Sequence, residues 1–349
     1  MKAGKGSEVA VIGAGIVGCV VAREILASNP GVSVTMLDRD LLAGGATRRS
    51  AGLHFPRGAT PAVRAMAGES QRYYSELVTR RPDLPIHPLD MTVIAPESAE
   101  ATLREVYLPE ANLRRTGRVP PILADLPAGT AAWVGDGCQY ADASALTQAL
   151  AAELRPQVRF REGVTVTDVA PGAHGVRLAL STGDTLTVER AVLAPGPWLS
   201  APAWRHLVQP LGAEVKKIAA LHIEQPPSDD DGAVVLHDED AFLLPYRHRR
   251  HWLFSYTCPE WGVDPDTVEC GLTAANLTEA REVLAHYAPR LVDRCVSGRV
   301  FCDAYGPGGA PLVRPLTDDG RLVFAGAASG SGYRLAPAIA TEAVRLLDM

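Results

Sequence analysis

The chain has 349 residues, of which 47% are hydrophobic and 21% charged, so it can bury the core of one large domain or of two interleaved domains. Its formal net charge of -6 supplies no global positive field, which disfavours nucleic acid as a partner and favours a small-molecule role. The sequence shows neither an apolar run as long as a membrane span nor an export signal. We therefore expect a cytoplasmic protein without membrane insertion.

The spacing of the cysteines and of the acidic runs matches no disulfide, redox or metal-binding pattern. Residues 228–232 and 237–240 are rich in aspartate but match no calcium loop, so no metal site is predicted. The six cysteines are scattered without paired spacing, which predicts neither a disulfide framework nor a redox pair. They are Cys19, Cys138, Cys258, Cys270, Cys295 and Cys302.

The first predicted unit, residues 8–38, has the pattern of a strand, a glycine turn, a helix and a second strand around "GAGIVG". Gly13 permits the tight turn, Gly15 lets the backbone approach a pyrophosphate, and Gly18 lets the helix pack closely on the strand. Asp38 ends the second strand, where a carboxylate accepts both hydroxyls of an adenosine ribose and repels a 2′-phosphate. The unit therefore predicts a dinucleotide site that disfavours NADP.

The loop that follows, "LDRDLLAGGATRRSAGLHFPRG", is longer and richer in glycine and arginine than a nicotinamide dehydrogenase needs. Gly45 and Ala46 permit close approach of the backbone, and Thr47 offers a hydroxyl. Arg48 or Arg49 would neutralise a pyrophosphate or reach a flavin, while the alternative for each arginine is a solvated surface position. The loop favours the longer cofactor, FAD.

The middle of the chain predicts one further helix, a hairpin and two insertions. Residues 142–154 form a helix capped by Asp142 or Ser144, and an alternating pattern around residues 182–184 indicates a hairpin. The insertions, 82–134 and 209–298, carry strand-like segments and a hairpin that turns over residues 247–250. We expect an antiparallel sheet that roofs the cofactor.

The C-terminal segment, residues 320–347, predicts a buried strand, the flexible loop "SGSG" and an amphipathic helix that opens near Pro337. A helix N-terminus aimed at a flavin would stabilise the negative charge of its reduced form. The same segment would also close the sheet as an ordinary strand and helix.

Several of these motifs together resemble the FAD-dependent D-amino-acid oxidase family, with its glycine oxidase and sarcosine oxidase-like members. The matching motifs, in the family's order, are "GAGIVG", "LDRD", "GGATRRSAGLH", "RAVLAPGPWLSAP" and "GRLVFAGAASGSGYRLAPAIATEAVRLL". The resemblance implies an α/β fold in which a Rossmann-type FAD-binding domain is interleaved with an antiparallel-sheet substrate domain. The FAD-binding domain would comprise residues 1–81, 135–208 and 299–349, and the substrate domain residues 82–134 and 209–298.

The motifs and the resemblance together name the residues expected to bind FAD. They are Gly13, Gly15, Ile16, Val17, Gly18, Asp38, Arg39, Gly45, Ala46, Thr47, Arg48, Ser50, Ala51, Gly52, Leu53, Val164, Gly196, Cys302, Gly330, Gly332, Tyr333 and Arg334.

The expected substrate site is a clamp more than an acid–base pair, because a neutral amine releases a hydride from a carbon held near flavin N5. Arg334 occupies the position where sarcosine oxidase-like relatives carry a cation for the substrate carboxylate. His54, Arg57 and Tyr246 would line the same pocket, and Arg314 is a weaker candidate. The alternative for each arginine is a structural ion pair, and for Tyr246 a place in the core.

Two departures from the family pattern affect these expectations. Cys302 lies about where some sarcosine oxidase-like enzymes attach FAD covalently, but "GPGGAP" replaces the family's "T-P-D-G-x-P"-like run, and a buried free cysteine is the alternative. Such relatives also use a lysine near the flavin to activate oxygen. Beyond the N-terminal tail this chain has only Lys216 and Lys217.

We therefore predict oxidation of the C–N bond of an amino acid or secondary amine, with hydride transfer to flavin N5, imine hydrolysis and reduction of O2 to H2O2. A dehydrogenase that uses another electron acceptor, a flavin monooxygenase and a catalytically inactive flavoprotein subunit are the alternatives. Against the monooxygenase, the sequence has no second G-x-G-x-x-G unit for NADPH.

Overall fold

A computed structural model describes residues 7–123, 125–268 and 271–348. The strands in this part of the chain are β1 (Glu8–Ile12), β2 (Ser33–Leu37), β3 (Leu53–His54), β4 (Ile86–Pro88), β5 (Met91–Pro96), β6 (Arg114–Thr116), β7 (Thr130–Gly135), β8 (Gln139–Ala141), β9 (Val158–Arg161), β10 (Val166–Gly172), β11 (Gly175–Leu180), β12 (Thr185–Val188), β13 (Arg190–Leu193), β14 (Glu214–Ile223), β15 (Ala233–Leu236), β16 (Ala241–Tyr246), β17 (His251–Tyr256), β18 (Cys295–Tyr305), β19 (Leu312–Pro315) and β20 (Leu322–Gly326). The helices are α1 (Ile16–Ser28), α2 (Ala46–Arg49), α3 (Pro61–Arg80), α4 (Glu100–Val106), α5 (Ala143–Leu154), α6 (Arg205–Val208), α7 (Ala274–Tyr287) and α8 (Gly332–Leu346).

A mainly parallel sheet forms the centre of the cofactor half, with its strands in the order β19-β20-β13-β1-β2-β9. Every neighbouring pair is parallel except β19 and β20. The interior strands β1 and β20 are nearly continuous apolar runs because both faces of the sheet are covered. Helices α1, α3, α5 and α8 pack on one face, and the small sheet β10-β11-β12 covers the other.

The second large sheet has the strand order β18-β14-β17-β16-β15-β5-β7-β6 and is here called the roof sheet. Its neighbouring strands are antiparallel except for β15 and β5, which come from the two separate insertions and pair in parallel. Its outer face packs on α7, and its inner face on the cofactor half around β3, β8 and α4. The predicted interleaved α/β fold with a largely antiparallel second sheet is therefore confirmed.

Helix α8 differs from its prediction in where it begins. It starts at Gly332, so Pro337 lies inside the helix rather than in its first turn. A proline there cannot donate to the carbonyl four residues earlier, which belongs to Tyr333. The Tyr74 hydroxyl of α3 donates to that carbonyl at 2.6 Å instead. Tyr74, on the neighbouring helix α3, thus donates to the carbonyl that Pro337 leaves without a donor. The sequence pattern had placed the start of the helix near this proline.

Other local expectations are met in part. The Asp142 side chain accepts the Ala145 N–H at 3.0 Å and caps α5, so it is the cap and Ser144 is not. Strands β11 and β12 form the hairpin around residues 182–184, and β16 and β17 form the one around residues 247–250. Residues 98–117 contain only α4 and short 3-10 turns before β6. The proposed division at residues 81, 134, 208 and 298 stays a prediction, and β18 runs across the last of these boundaries.

Candidate functional site

The loop between β1 and α1 passes so close to its neighbours that side chains are excluded. Gly13 adopts φ +105°, and a Cβ there would overlap the carbonyl oxygen of Ala194. A Cβ on Gly18 would overlap the carbonyl oxygen of Gly13 itself. A Cβ on Gly15 would lie 3.0 Å from the Thr47 hydroxyl oxygen. The roles predicted for the glycines match this geometry, because each close approach needs hydrogen in place of a side chain.

The carboxylate of Asp38 lies at the end of β2 beside this loop. It accepts the Ala14 N–H at 2.7 Å and the Asp40 N–H at 2.9 Å, so it fixes the loop to the strand. Burial raises the pKa of Asp38, and the two hydrogen bonds oppose that rise. Each carboxylate oxygen still has an acceptor site for a ribose hydroxyl.

Thr47 lies where the glycine- and arginine-rich loop turns back towards α1. Its hydroxyl oxygen accepts the Ile16 N–H at 3.0 Å, so the hydroxyl proton stays available for an acceptor such as a phosphate oxygen. Gly45 directly precedes α2, the short helix that contains Thr47, and a Cβ at Gly45 would lie 3.0 Å from the Trp198 ring. Arg48 is exposed and lines no part of the cavity.

These elements line one extended cavity of about 520 Å³, a size typical of sites for cofactors and other small molecules. Of the predicted FAD contacts, it is lined by Gly13, Gly15, Ile16, Val17, Gly18, Asp38, Arg39, Gly45, Ala46, Thr47, Ser50, Val164, Gly196, Gly330, Gly332 and Tyr333. Arg48, Ala51, Gly52, Leu53, Cys302 and Arg334 do not line it. One continuous cavity is therefore lined by residues from both ends of the chain.

No sequence motif pointed to Asp266, which reaches the cavity from the long connection between β17 and α7. Its carboxylate pairs with the Arg39 guanidinium at 2.8 and 3.2 Å and accepts the Trp198 indole N–H at 2.8 Å. The Arg39 guanidinium also stacks 5.1 Å from the centre of the Trp198 ring. These contacts hold the connection between β17 and α7 against the wall of the cofactor cavity.

Phe301 and Asp303 of β18 also line the cavity and were not predicted. Side chains alternate along a strand, so these two belong to the inner face and Cys302 to the opposite one. Cys302 packs in the core beneath the parallel sheet and is 4% exposed, and burial raises the pKa of its thiol to about 11. This geometry does not bring Cys302 to the cavity, so a covalent flavin link gains no support.

Arg334 follows Tyr333 in the first turn of α8, next to the cavity wall. Its guanidinium donates to the Arg57 carbonyl oxygen and to the Ser331 hydroxyl, and it stacks over Phe55. Among the described residues, no carboxylate lies within 4 Å of it. Burial, with a smaller contribution from the neighbouring Arg57, lowers the pKa of Arg334 to about 10. The side chain is therefore a half-buried cation without a carboxylate within 4 Å in the described part of the chain.

His54 is fully buried between α3 and α8 and does not line the cavity. Its Nε2 lies 2.6 Å from the Gln71 amide oxygen, and its ring meets Tyr74 edge to face. Burial lowers the pKa of His54 to about 4, so the ring is neutral at physiological pH. It supports the strand that leads to Arg57.

Tyr246 lies on the inner face of the roof sheet, at the end of β16, in a cluster of rings and cations. Its ring centre is 4.5 Å from that of His248 and 5.7 Å from that of His251, and the Arg299 guanidinium lies 5.4 Å above it. Arg299 also donates to the Ser50 carbonyl oxygen at 3.2 Å. None of these contacts involves Arg334, which belongs to α8, and Tyr246 does not line the cavity. Arg314 is on the edge strand β19 and bonds the Val313 carbonyl.

The two adjacent lysines of β14 point to opposite faces. Lys217 faces outwards and pairs with Glu260 at 2.7 Å. Lys216 is 5% exposed on the inner face, directly opposite Asp303 on β18. Its ammonium packs 4.9 Å from the centre of the Trp261 ring and 5.4 Å from that of Tyr305. Burial lowers the pKa of Lys216.

A Rossmann sheet with this cavity, roofed by a second sheet, defines a dinucleotide-binding flavoprotein. The model of the FAD-dependent oxidoreductase family matches residues 8–346. The chain therefore belongs to that family, and FAD is its cofactor. No curated protein sequence matches the chain.

Solved structures with the same fold extend over nearly the whole chain, each with 18% sequence identity. Glycine oxidase from Geobacillus kaustophilus has a TM-score of 0.80 and covers 98% of this chain and 95% of its own. L-alpha-glycerophosphate oxidase from Mycoplasma pneumoniae with FAD bound has a TM-score of 0.82 and covers 99% and 95%. L-proline dehydrogenase from P. horikoshii has a TM-score of 0.80 and covers 98% and 93%.

The residues of the cavity fit FAD. Side-chain-free positions at Gly13, Gly15 and Gly18 leave room for a pyrophosphate beside the start of α1, and Asp38 is available to the ribose. Tyr333 and the loop before α8 would hold the ring system at the other end. In the described ranges, no helix is long and apolar enough to span a bilayer, and no group of acidic, histidine and cysteine side chains has the arrangement of a metal site.

Proposed function

We propose that this FAD-dependent oxidoreductase oxidises the C–N bond of an amino acid or secondary amine whose carboxylate binds Arg334. When bound, FAD supplies the acceptor for a hydride at flavin N5, after which the imine is hydrolysed and O2 is reduced to H2O2. The observation that carries the proposal is the half-buried Arg334 guanidinium, which lies beside the cofactor cavity without a carboxylate within 4 Å among the described residues.

Electrostatics favour an anionic substrate group at this position. Arg57 and Arg334 lie side by side, and the Arg57 Nε is buried without a hydrogen-bond partner in the described chain. Two adjacent cations in a poorly solvated site cost free energy unless an anion is placed between them. A substrate carboxylate would accept hydrogen bonds from both guanidinium groups and fix the carbon that is oxidised.

The same clamp would accept other anions, so a hydroxy acid or a phosphate ester is the second candidate substrate class. The similarity to L-alpha-glycerophosphate oxidase, whose name gives a phosphate ester as its substrate, favours keeping this second class. Glycine oxidase, proline dehydrogenase and iminodiacetate oxidase among the structural neighbours favour the amine.

Oxygen is the proposed acceptor because of Lys216. A buried cation on the inner face, one strand from the cavity-lining Asp303, is placed to stabilise the negative charge that develops when oxygen takes electrons. It would thereby take the role of the lysine that sarcosine oxidase-like relatives use for this step. A dehydrogenase with another acceptor remains the alternative.

The test is a panel of amino acids, secondary amines, hydroxy acids and phosphate esters mixed anaerobically with the yellow holoenzyme. We expect an amine with a carboxylate to bleach the flavin without NADPH, and air to restore the colour with release of H2O2. Bleaching by hydroxy acids alone would contradict the amine proposal, and a requirement for NADPH would indicate a monooxygenase. No bleaching by any member would favour an inactive subunit.

Arg334→Met tests the clamp with the substrate that this panel identifies. We expect the KM to rise and the apparent affinity of carboxylate inhibitors to weaken by about 1.5 to 3 kcal/mol, the range for a hydrogen bond to a charged group. Arg314→Met, on the edge strand, serves as the matched control and should keep the affinity. Equal inhibitor affinity in the Arg334 variant and the wild type would remove Arg334 from this role.

A further inference from the structure

Asp303 is an unexplained acidic group in the wall of the FAD cavity. It belongs to the inner face of the roof sheet, between Phe301 and Tyr305 along β18, and it lines the cavity together with Phe301. Its neighbours Gly306 and Ala304 bond to the loop before α8, at the Ala327 carbonyl and the Ser329 N–H respectively. Asp303 is thereby held beside the flavin end of the cavity.

The carboxyl group of Asp303 lacks the partners that buried carboxylates usually have. Among the described residues, none donates a hydrogen bond to it and no cation lies within 4 Å. Lys216 is its cross-strand neighbour, but the ammonium packs on Trp261 and Tyr305 instead. The part of Asp303 that is exposed faces the cavity, because the protein encloses the group on its other sides.

The pKa of an unpaired carboxyl group that is enclosed in this way is raised towards neutral pH. Burial alone raises the pKa of Asp303 to about 7, without a contribution from any neighbouring charge. A ligand that fills the cavity would exclude the remaining water and disfavour the ionised form further.

We propose that Asp303 contacts bound FAD and that its carboxyl group takes up a proton when FAD binds near neutral pH. The protonated group donates its O–H to an acceptor atom of the cofactor, whereas an ionised group would face an anionic ligand without compensation. The proposal rests on FAD binding alone, so it stands or falls independently of the substrate class.

The titratable side chains next to Asp303 on its own strand do not compete for this proton. On its own strand, burial raises the pKa of Cys302 to about 11 and raises that of Tyr305 well above its usual range, so both stay neutral near pH 7. Across β14, Lys216 is cationic on the inner face and Lys217 is paired with Glu260 on the outer one. Among the described residues, the other charged groups near this end of β18 or on the cavity wall are Arg49, Asp240, Asp264, Asp266, Asp38, Asp40 and Arg39.

The expected pH dependence follows from the direction of the shift. The pKa of Asp303 is about 7 in the free protein and higher in the complex. At pH values below the lower of these two pKa values, Asp303 is protonated in both states, so its titration does not change the Kd for FAD. Between the two values binding absorbs a proton, and the Kd rises by up to about tenfold per pH unit.

The experiment measures the Kd for FAD by diluting holoenzyme and recording the fluorescence of released FAD at equilibrium, between about pH 6 and pH 9. For the wild type, we expect log Kd to be level in the acidic part of this range and to rise above about pH 7 with a slope approaching about one. The Asp303→Asn variant keeps the shape of the side chain without its titration, and its slope in the same range should vanish.

Two variants serve as controls. Asp303→Glu keeps a carboxyl group and should keep a rising slope. Asp266→Asn changes another cavity-lining carboxylate, one whose pKa is lowered by Arg39, and should shift the Kd equally at each pH. A level wild-type curve would overturn the proposal even if the Asn variant failed to fold. So would an Asn variant whose slope equals that of the wild type.

Discussion

The two walls of the cofactor cavity recognise their ligand with different parts of the chain. The Rossmann wall presents backbone and glycine, at positions such as Gly13 and Gly18 where no side chain fits. The roof wall presents ionisable side chains, Asp303 to the cavity and Lys216 beside it. The first wall should thus be sensitive to any added atom, and the second to a change of charge at constant shape.

Gly13→Ala tests the first wall and should have the largest effect. Its added Cβ would overlap the Ala194 carbonyl at a φ of +105°, and backbone strain with overpacking should cost about 2 to 6 kcal/mol. Urea unfolding and the FAD content of the purified protein measure it. Gly31→Ala is the matched control, because Gly31 has φ +101° but open space around it, and strain alone should cost about 1 to 3 kcal/mol. Similar losses in both variants would show that the close approach is unimportant.

Lys216→Met tests the second wall by removing a charge at nearly constant shape. We expect the rate of flavin reoxidation by O2 to fall by about 10² to 10³, the effect of removing one group that stabilises developing charge. Anaerobic reduction by substrate should change little. Stopped-flow measurements separate the two half-reactions.

Lys217→Met is its control, because Lys217 pairs with Glu260 on the outer face. It should leave both half-reactions unchanged. If the Lys216→Met variant reoxidised as fast as the wild type, the acceptor would have to be activated elsewhere or differ from O2.

Tyr74→Phe tests the support behind the cavity, where α3 satisfies the carbonyl that Pro337 leaves free. Loss of the 2.6 Å bond to the Tyr333 carbonyl should lower the free energy of unfolding by about 1 to 3 kcal/mol, because a buried acceptor is left without a donor. Thermal and urea unfolding of the holoenzyme measure the change. Tyr73→Phe, which loses a part-buried bond from Arg23, should cost about 0.5 to 1.5 kcal/mol. A larger loss of unfolding free energy in the Tyr73 variant than in the Tyr74 variant would contradict this account of α8.

Asp266→Ala should have the smallest effect, since its ion pair with Arg39 is half-exposed. We expect the free energy of FAD binding to weaken by up to about 1 kcal/mol, and the difference from wild type to shrink at high salt. Asp319→Ala removes an ion pair with Arg321 that is remote from the cavity and should not change the Kd. An unchanged Kd in the Asp266 variant would mean that this segment does not help to retain the cofactor.

Much of the cofactor wall was predictable because its determinants are local. Gly13, Gly15 and Gly18 have fixed spacing within one strand–turn–helix unit, and Asp38 ends the next strand. The choice of FAD, the interleaved fold and the family were also correct. Among the predicted substrate residues, Arg334 lies beside the cavity, whereas His54 is buried behind it and serves packing.

The roof side was hardly predictable, because its cavity residues come from segments with no motif. Asp303 is adjacent to Cys302, and the family resemblance pointed to the cysteine instead. Which of two neighbours faces the cavity depends on the register of β18 against β14, and a shift of one residue would exchange them. The same register, set by pairing between strands that are distant in the sequence, distinguishes Lys216 from Lys217.

By itself, the sequence determined that this protein has a dinucleotide unit at one end, a flavin-type segment at the other and two insertions between them. Glycine spacing and hydrophobic periodicity, which act within about 30 residues, predict those features. Only the tertiary structure decided which charges face the cofactor and how a helix with an internal proline is completed by Tyr74. Those outcomes depend on strand register and helix packing between distant segments, and no local pattern carries them.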